Sequence, residues 1–292
     1  MKVLITGANG QVGKSLQLAG NNTDHQIFAF TRNKFDLLNL KQMQTVLHNV
    51  SPKIVINTAA WTNVDGAETN IEEAFAVNEK GTGDLAKLCA QKNIILIHIS
   101  TDYVYDGTSK SQWNETEKAK PQTVYGRSKL AGEQAIKNSS ASHLILRTAW
   151  VYSAFGTNFL KTMLRLAKER DEISVVCDQI GCPTYAPHLA TGIMQIVQAI
   201  DKKPQQQYRE TFCLAGTGQV SWAGFAKEIF QQSSKCKQPS AKVLSIASSD
   251  YPTTAKRPQN SVLDCNLIYK KFGVTLPHYN QGIAECLQGI YS

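Results

Sequence analysis

The chain has 292 residues, 42% hydrophobic and 18% charged, with a formal net charge of +8. These proportions exclude a disordered chain, and no apolar run approaches the roughly 20 residues needed to cross a bilayer, so no membrane partner is expected. The 31 basic residues are dispersed along the chain, which argues against nucleic acid as a partner and leaves a small anionic one open. Seven cysteines are scattered without a C-x-x-C pair, so neither a zinc site nor a disulfide framework is expected. The chain opens directly on Met1-Lys2-Val3-Leu4-Ile5, which reads as a core strand and not as a secretion signal. A cytoplasmic location is therefore expected.

In chain order, Lys2–Thr6 reads as a strand, Gln11–Ala19 as a helix, Gln26–Phe30 as a strand and Leu40–Asn49 as a helix. Lys53–Asn57 is a further strand, Ile71–Gln91 a long helix and Ile94–Ser100 a strand, followed by a helix near Val124–Lys137 and the strand His143–Thr148. Continuous apolar strands such as Ile54-Val55-Ile56 suit a parallel sheet covered on both faces. Strand–helix alternation of this kind predicts a doubly wound α/β fold of Rossmann type. After residue 150 the pattern loosens, with Gly, Pro and Thr punctuation at 181–184 and 251–253. Residues 1–150 are expected to form a dinucleotide-binding domain. Residues 151–292 are expected to form mainly a smaller substrate lobe that returns some elements to the sheet.

The first strand runs straight into Thr6-Gly7-Ala8-Asn9-Gly10-Gln11-Val12-Gly13, which opens the first helix. Glycines at 7, 10 and 13 permit the tight turn and let backbone approach a pyrophosphate, while the helix N-terminus offers free N–H groups. A turn that needs glycine only sterically is the alternative. At the end of the second strand a carboxylate usually holds the ribose of NAD. Here Phe30-Thr31-Arg32 stands instead, so Thr31 and Arg32 point to the 2′-phosphate of NADPH, unless Arg32 is merely solvated. Asp36 and Leu37 either cap the next segment or touch the adenine. Ala59 and Ala60 end the third strand with small residues, as backbone bordering a cofactor requires.

Tyr125 and Lys129 stand four apart on a helix, hence on one face. An ammonium beside a phenol, together with an oxidised nicotinamide, would lower the tyrosine's pKa. The strand before them ends in Ser100-Thr101, so either hydroxyl could reach a substrate carbonyl at the carboxyl end of the sheet. An exposed helical pair is the bland alternative. Trp150 and Arg257 are candidates for the sugar and the diphosphate of a substrate, an indole for an apolar ring face and a guanidinium for phosphate.

The glycine loop, Ser100-Thr101-Asp102-Tyr103-Val104-Tyr105-Asp106-Gly107 and Val124-Tyr125-Gly126-Arg127-Ser128-Lys129 resemble the extended short-chain dehydrogenase/reductases. Ala59-Ala60-Trp61-Thr62-Asn63-Val64-Asp65, Leu146–Tyr152, Asn158–Ala167, Asp178–Thr184 and Arg257–Ser261 are similar to the dTDP-4-dehydrorhamnose reductase family within them. The resemblance spans nearly the whole chain. It implies NADPH-dependent reduction of the 4-keto group of dTDP-4-dehydro-6-deoxy-L-mannose, a dTDP-sugar substrate, to dTDP-L-rhamnose for lipopolysaccharide or other cell-surface polysaccharide. It places Tyr125 as proton donor, Lys129 on the nicotinamide ribose and Thr101 at the reacting oxygen, with Asp102 beside the sugar and Trp150 against it. Its cofactor positions are Gly10, Gln11, Val12, Asp36, Leu37, Ala60, Trp61 and Thr62. Members commonly carry an acidic residue where Thr31 stands and accept NADH as well. Some hold magnesium across a dimer, but the corresponding positions here are Ser15 and Pro187, so no metal and a monomer or weak homodimer are expected. The rivals are a 4-ketoreductase giving another stereoisomer, such as a 6-deoxytalose, and a non-catalytic regulatory subunit on the same fold.

Overall fold

The structure is a computed structural model that describes residues 1–203 and 206–291. Its centre is a six-stranded parallel sheet. Five strands come from the first half: β1 (Lys2–Thr6), β2 (Gln26–Phe30), β3 (Ile54–Asn57), β4 (Ile95–Thr101) and β5 (His143–Thr148). The sixth, Arg209–Cys213, returns from the second half to pair with β5, giving the order Arg209–Cys213, β5, β4, β3, β1, β2. Alternate residues of each strand enter different cores. Val3, Ile5, Ile54 and Ile56 pack on one face with helices from both halves, whereas Leu4 and Val55 pack on the other. Two buried faces explain why the strands carry no polar alternation.

The strand order reverses between β1 and β3, and ligands of open α/β sheets bind in the crevice at such a point. Helix α1 (Gln11–Gly20) follows β1, and helix α2 (Leu40–Val50) precedes β3. The expected long helix over 71–91 is interrupted. Ile71–Phe75 and Thr82–Gln91 are α-helical, but Ala76–Gly81 forms a π turn. One widened turn re-aims a side chain, and here it turns the buried Asn78 towards the site described below.

A third core lies wholly in residues 152–287 and gathers Tyr152, Leu160, Ile173, Phe225, Ile229 and Ile283 among others. It is framed by the parallel pair Glu172–Val176 and Lys242–Ile246, the helix Trp222–Lys235 and the helix Tyr279–Tyr291. A three-stranded ribbon centred on Ile180–Gly181 joins it to the sheet's crevice. All seven cysteines are free thiols, four of them buried. Among the described residues no helix is long and apolar enough to cross a membrane.

Candidate active site

The glycine turn is built around close approach. Gly7 has φ +67, and a Cβ there would lie 2.8 Å from the Ala59 nitrogen and from the Thr58 hydroxyl. A Cβ on Gly13 would collide with the Gly7 carbonyl. Gly10 meets no such obstacle beyond a 3.3 Å contact, so the protein itself does not demand glycine there. It stands at the N-cap of α1, where no side chain accepts from the first-turn N–H groups. A bare helix N-terminus beside an open glycine is what a pyrophosphate needs. Gln11 and Val12 are the first residues of α1, and the Gln11 side chain points away from the turn. Its Oε1 accepts from Ser153 Oγ and Asn158 Nδ2, both at 2.8 Å.

Beyond β2, Thr31 is half-buried and Arg32 projects into solvent, its Nε 3.4 Å from Asp36 Oδ2. Leu37 is buried in the core beside that turn. Asp36 Oδ1 accepts from the Leu38 N–H at 3.0 Å in a local turn, while the cap of α2 is Asn39, whose side chain accepts from the Gln42 N–H. Ala59 and Ala60 are partly exposed next to the glycine turn, and Thr62 is exposed. Trp61 is pinned through its backbone: its N–H donates to Asn78 Oδ1 at 2.9 Å, and its carbonyl accepts from Asn78 Nδ2 at 3.0 Å. The same Asn78 amide donates to Ser128 Oγ at 2.9 Å. Asn78 therefore ties this loop to the helix Val124–Asn138, which carries Tyr125 and Lys129. The sequence reading missed it, because the π turn that presents it leaves no periodicity of its own.

The two hydroxyls that end β4 are engaged differently. Ser100 Oγ donates to Glu133 Oε1 at 2.6 Å and is consumed there. Glu133 also takes both arms of Arg147, whose Nη2 lies 2.6 Å from Oε2 and whose Nε lies 3.0 Å from Oε1. Thr101 Oγ1 instead faces Asp102 Oδ1 at 2.9 Å and accepts from the Tyr103 N–H at 3.2 Å. Tyr125 is buried, edge-on to Tyr103 with ring centroids 5.6 Å apart. Burial pushes its pKa above the usual tyrosine value, with a hydrogen bond to Thr101 acting the other way. Lys129 Nζ turns to β4, donating to the Ile99 carbonyl at 2.8 Å and meeting His98 Nε2 at 3.0 Å. Burial lowers its pKa to about 8, against the opposing charge of Glu133.

Among the described residues, three buried polar atoms near this point meet no partner in hydrogen-bond geometry: Asp102 Oδ2, Thr148 Oγ1 and Ser261 Oγ. Thr148 is the register partner of Thr101 across β4 and β5. Burial raises the Asp102 carboxyl to about 6, while the nearby Ser261 hydroxyl, outside hydrogen-bond geometry, the Thr101 hydroxyl and backbone N–H groups oppose the shift. Orphaned polar groups in a crevice are poised to meet a polar ligand.

Trp150 follows β5 with φ +48, a left-handed conformation rare for a bulky residue and typical of functional sites. Neither indole face is open. Trp222 stacks on one at a centroid distance of 3.4 Å. Gly181 covers the other, since a Cβ there would lie 2.7 Å from Nε1 and 2.8 Å from Cζ2, above the ring. The broad free face expected for a sugar is thus covered on both sides, and the residue is only partly exposed. Arg257 is likewise engaged: Nη2 pairs with Asp65 Oδ2 at 2.6 Å, and Nη1 donates to the Tyr103 hydroxyl at 3.1 Å. It keeps further N–H donors, since a guanidinium has five.

Similarity to known proteins extends over the full chain. The family model described as RmlD substrate binding domain matches residues 1–292. The dTDP-4-dehydrorhamnose reductase of Sinorhizobium fredii is 41% identical, covering 96% of this chain and 95% of its own. The Escherichia coli K12 protein of the same name is 36% identical over 100% and 99%. Among solved structures, the Bacillus anthracis dTDP-4-dehydrorhamnose reductase in complex with NADP is 36% identical, with a TM-score of 0.91 and 99% of both chains covered. UDP-glucose 4-epimerase from Brucella ovis, 18% identical with a TM-score of 0.80, shares the fold. The chain belongs to the dTDP-4-dehydrorhamnose reductase family, oxidoreductases with the extended short-chain dehydrogenase/reductase fold.

Proposed function

We propose that the chain reduces the 4-keto group of dTDP-4-dehydro-6-deoxy-L-mannose with NADPH, giving dTDP-L-rhamnose. The observation that carries this reading is the placement of the Tyr125 phenol beside Thr101 and Asp102, where the sheet's crevice meets the bare N-terminus of α1.

The residues present fit the cofactor. Gly7, Gly10 and Gly13 with the backbone of Gln11 and Val12 would hold its pyrophosphate, and Thr31 and Arg32 its 2′-phosphate. Asp36 and Leu37 would flank the adenine, while Ala59, Ala60, Trp61 and Thr62 line the far side. NADPH, when bound, supplies the hydride for carbon 4 of the sugar. Tyr125, kept as the phenol by burial, delivers its proton to the oxygen on that carbon. Thr101 turns its hydroxyl from Asp102 to the same oxygen and stabilises the charge that develops there. Asp102 accepts a sugar hydroxyl through Oδ2, the atom without a partner. Trp150 borders the sugar with its edge, and the spare donors of Arg257 face the diphosphate. Lys129 orients the nicotinamide ribose with the donors that Ile99 does not use.

The test is NADPH oxidation with the 4-keto-L-sugar nucleotide, followed by stereochemical assignment of the product. A rhamnose product supports the reading. A 6-deoxytalose product keeps the chemistry and overturns the substrate pose. No turnover, with NADPH shown to bind, overturns it altogether.

A further inference from the structure

Residues 251–259 form neither helix nor strand. This strap is held near both ends, where Asp178 Oδ1 accepts from the Ser248 N–H at 3.0 Å and the Asn260 N–H donates to the Gly107 carbonyl at 3.0 Å. In between, Tyr251–Thr254 are exposed, yet Ala255 is fully buried. The Ala255 N–H donates to Asp65 Oδ1 at 3.0 Å, and two residues on, Arg257 Nη2 meets Asp65 Oδ2 at 2.6 Å. Among the described residues, the hydrogen bonds by which 252–258 reach the rest of the chain go to Asp65 and to the Tyr103 hydroxyl.

An acid in the first turn of the short helix Val64–Ala67 would be favourable by charge alone. That helix is already capped by Asn63, whose Oδ1 accepts from the Gly66 N–H at 2.9 Å. Both Asp65 oxygens instead leave the helix for residues 190 and 192 places further along. The same helix is tied to the catalytic one. Glu68 Oε1 accepts from the Val124 N–H at 2.8 Å. Val124 opens the helix Val124–Asn138, where a first-turn N–H has no partner of its own, and Tyr125 comes next. Two carboxylates, at 65 and 68, thus refer the strap and the helix of Tyr125 to one short turn of chain.

We infer that Asp65 is a positioning residue for the substrate, seating the strap and aiming Arg257 at the diphosphate of a sugar nucleotide. This deepens the proposed function and rests on its assignment of Arg257. As an ion pair alone, partly exposed on both sides, the contact would contribute little. The backbone bond to the buried Ala255 turns it into a two-point hold. Asp65 takes an Nη2 hydrogen of Arg257 and Tyr103 one on Nη1, which fixes the guanidinium and leaves it donors to spare. A long side chain ordered beforehand loses less rotamer freedom when it takes a phosphate. Tyr103 lies edge-on to Tyr125, with ring centroids 5.6 Å apart. Asp65 therefore also sets how far the phosphate anchor stands from the proton donor.

The experiment is calorimetric titration with dTDP of the NADPH-loaded wild type, Asp65→Ala, Arg257→Ala and the double variant, with NADPH titrated separately. Each single change should weaken dTDP binding about tenfold, the scale of a charge-assisted bond to phosphate. The NADPH dissociation constant should not move. The double variant should bind dTDP no more weakly than Arg257→Ala, because Asp65 acts through that side chain. Weaker dTDP binding in Arg257→Ala but not in Asp65→Ala overturns the inference and leaves the assignment of Arg257 standing. Losses that multiply in the double variant overturn it as well. So does a matching loss of NADPH affinity in Asp65→Ala, since the change would then act on the fold. Tighter dTDP binding by Asp65→Ala overturns it too, by making the carboxylate a competitor of the diphosphate. If neither single change affects dTDP, the inference falls together with the assignment of Arg257, while turnover of the 4-keto sugar nucleotide is judged by its own assay.

Discussion

The indole of Trp222 lies flat on that of Trp150, with ring centroids 3.4 Å apart and planes within 5° of parallel. Aromatic pairs left to themselves prefer offset or edge-on contact, so the surroundings impose this overlap. Phe159 leans on Trp222 from one side, with centroids 4.6 Å apart, and Gly181 closes the stack from the other. The stack clamps Trp150 where β5 ends.

Gly181→Ala is expected to unseat that stack, since the added methyl would sit inside the Trp150 ring's contact surface. The Michaelis constant for the sugar nucleotide should rise about tenfold or more, with the dissociation constant of NADPH unchanged. Trp222→Ala should do the same and lose roughly 1–3 kcal/mol of stability with the buried ring area. Separate titrations with NADPH and with the dTDP-sugar product decide the matter. If both variants bind the sugar nucleotide normally, the stack is only lobe core.

Tyr125→Phe removes one oxygen from a ring that stays packed against Tyr103. Turnover should fall on the order of 10²–10⁴-fold while NADPH binding survives. Wild-type turnover, with the chemical step shown to limit the rate, would move the acid elsewhere.

Arg32→Ala is expected to erode the preference for NADPH over NADH by about tenfold, the scale of one charge-assisted hydrogen bond. Its present ion pair with Asp36 is exposed and long at 3.4 Å, so little holds the side chain back from a phosphate. Steady-state constants with each cofactor measure the ratio. An unchanged ratio returns Arg32 to the solvated surface.

Asp102 predicts a pH dependence. Its carboxyl is lifted from the ordinary 3.8 to about 6 by burial. Between those values the folded chain keeps a proton that the unfolded chain has released, so stability falls as pH rises from about 4 to 6 and levels above. Asp102→Asn should remove this slope and raise stability at pH 7, on the order of 1–3 kcal/mol, while weakening sugar-nucleotide binding. Urea titrations at pH 4, 5, 6 and 7 on both proteins read it directly. A variant that is less stable at pH 7 would mean that the carboxylate is better satisfied than its unpaired Oδ2 indicates.

The sheet was legible because strands buried on both faces are written as unbroken apolar runs, and because glycine spacing marks a turn that backbone contacts require. Tyr125, Thr101 and Lys129 were legible as a motif. Their neighbours were not. Asn57 and His98 are 41 residues apart and meet only because β3 and β4 pair in that register. Asn78 owes its position to a π turn, which periodicity reads as continuous helix. Trp222 opens a lobe helix in a segment whose sequence gave no hint of its distant partner, Trp150. The engagement of Arg257 by Asp65, 192 residues away, was equally hidden.

Gln11 stands with its backbone at the mouth of α1 and its side-chain oxygen in the lobe, held by Ser153 and Asn158. A ligand on the first turn of α1 that shifted Gln11 would therefore be felt in the segment that leads from Trp150 into the lobe. The sugar nucleotide would meet a crevice already trimmed by the dinucleotide. If that shift occurs, compulsory order, with NADPH first on and NADP last off, is the kinetic signature expected.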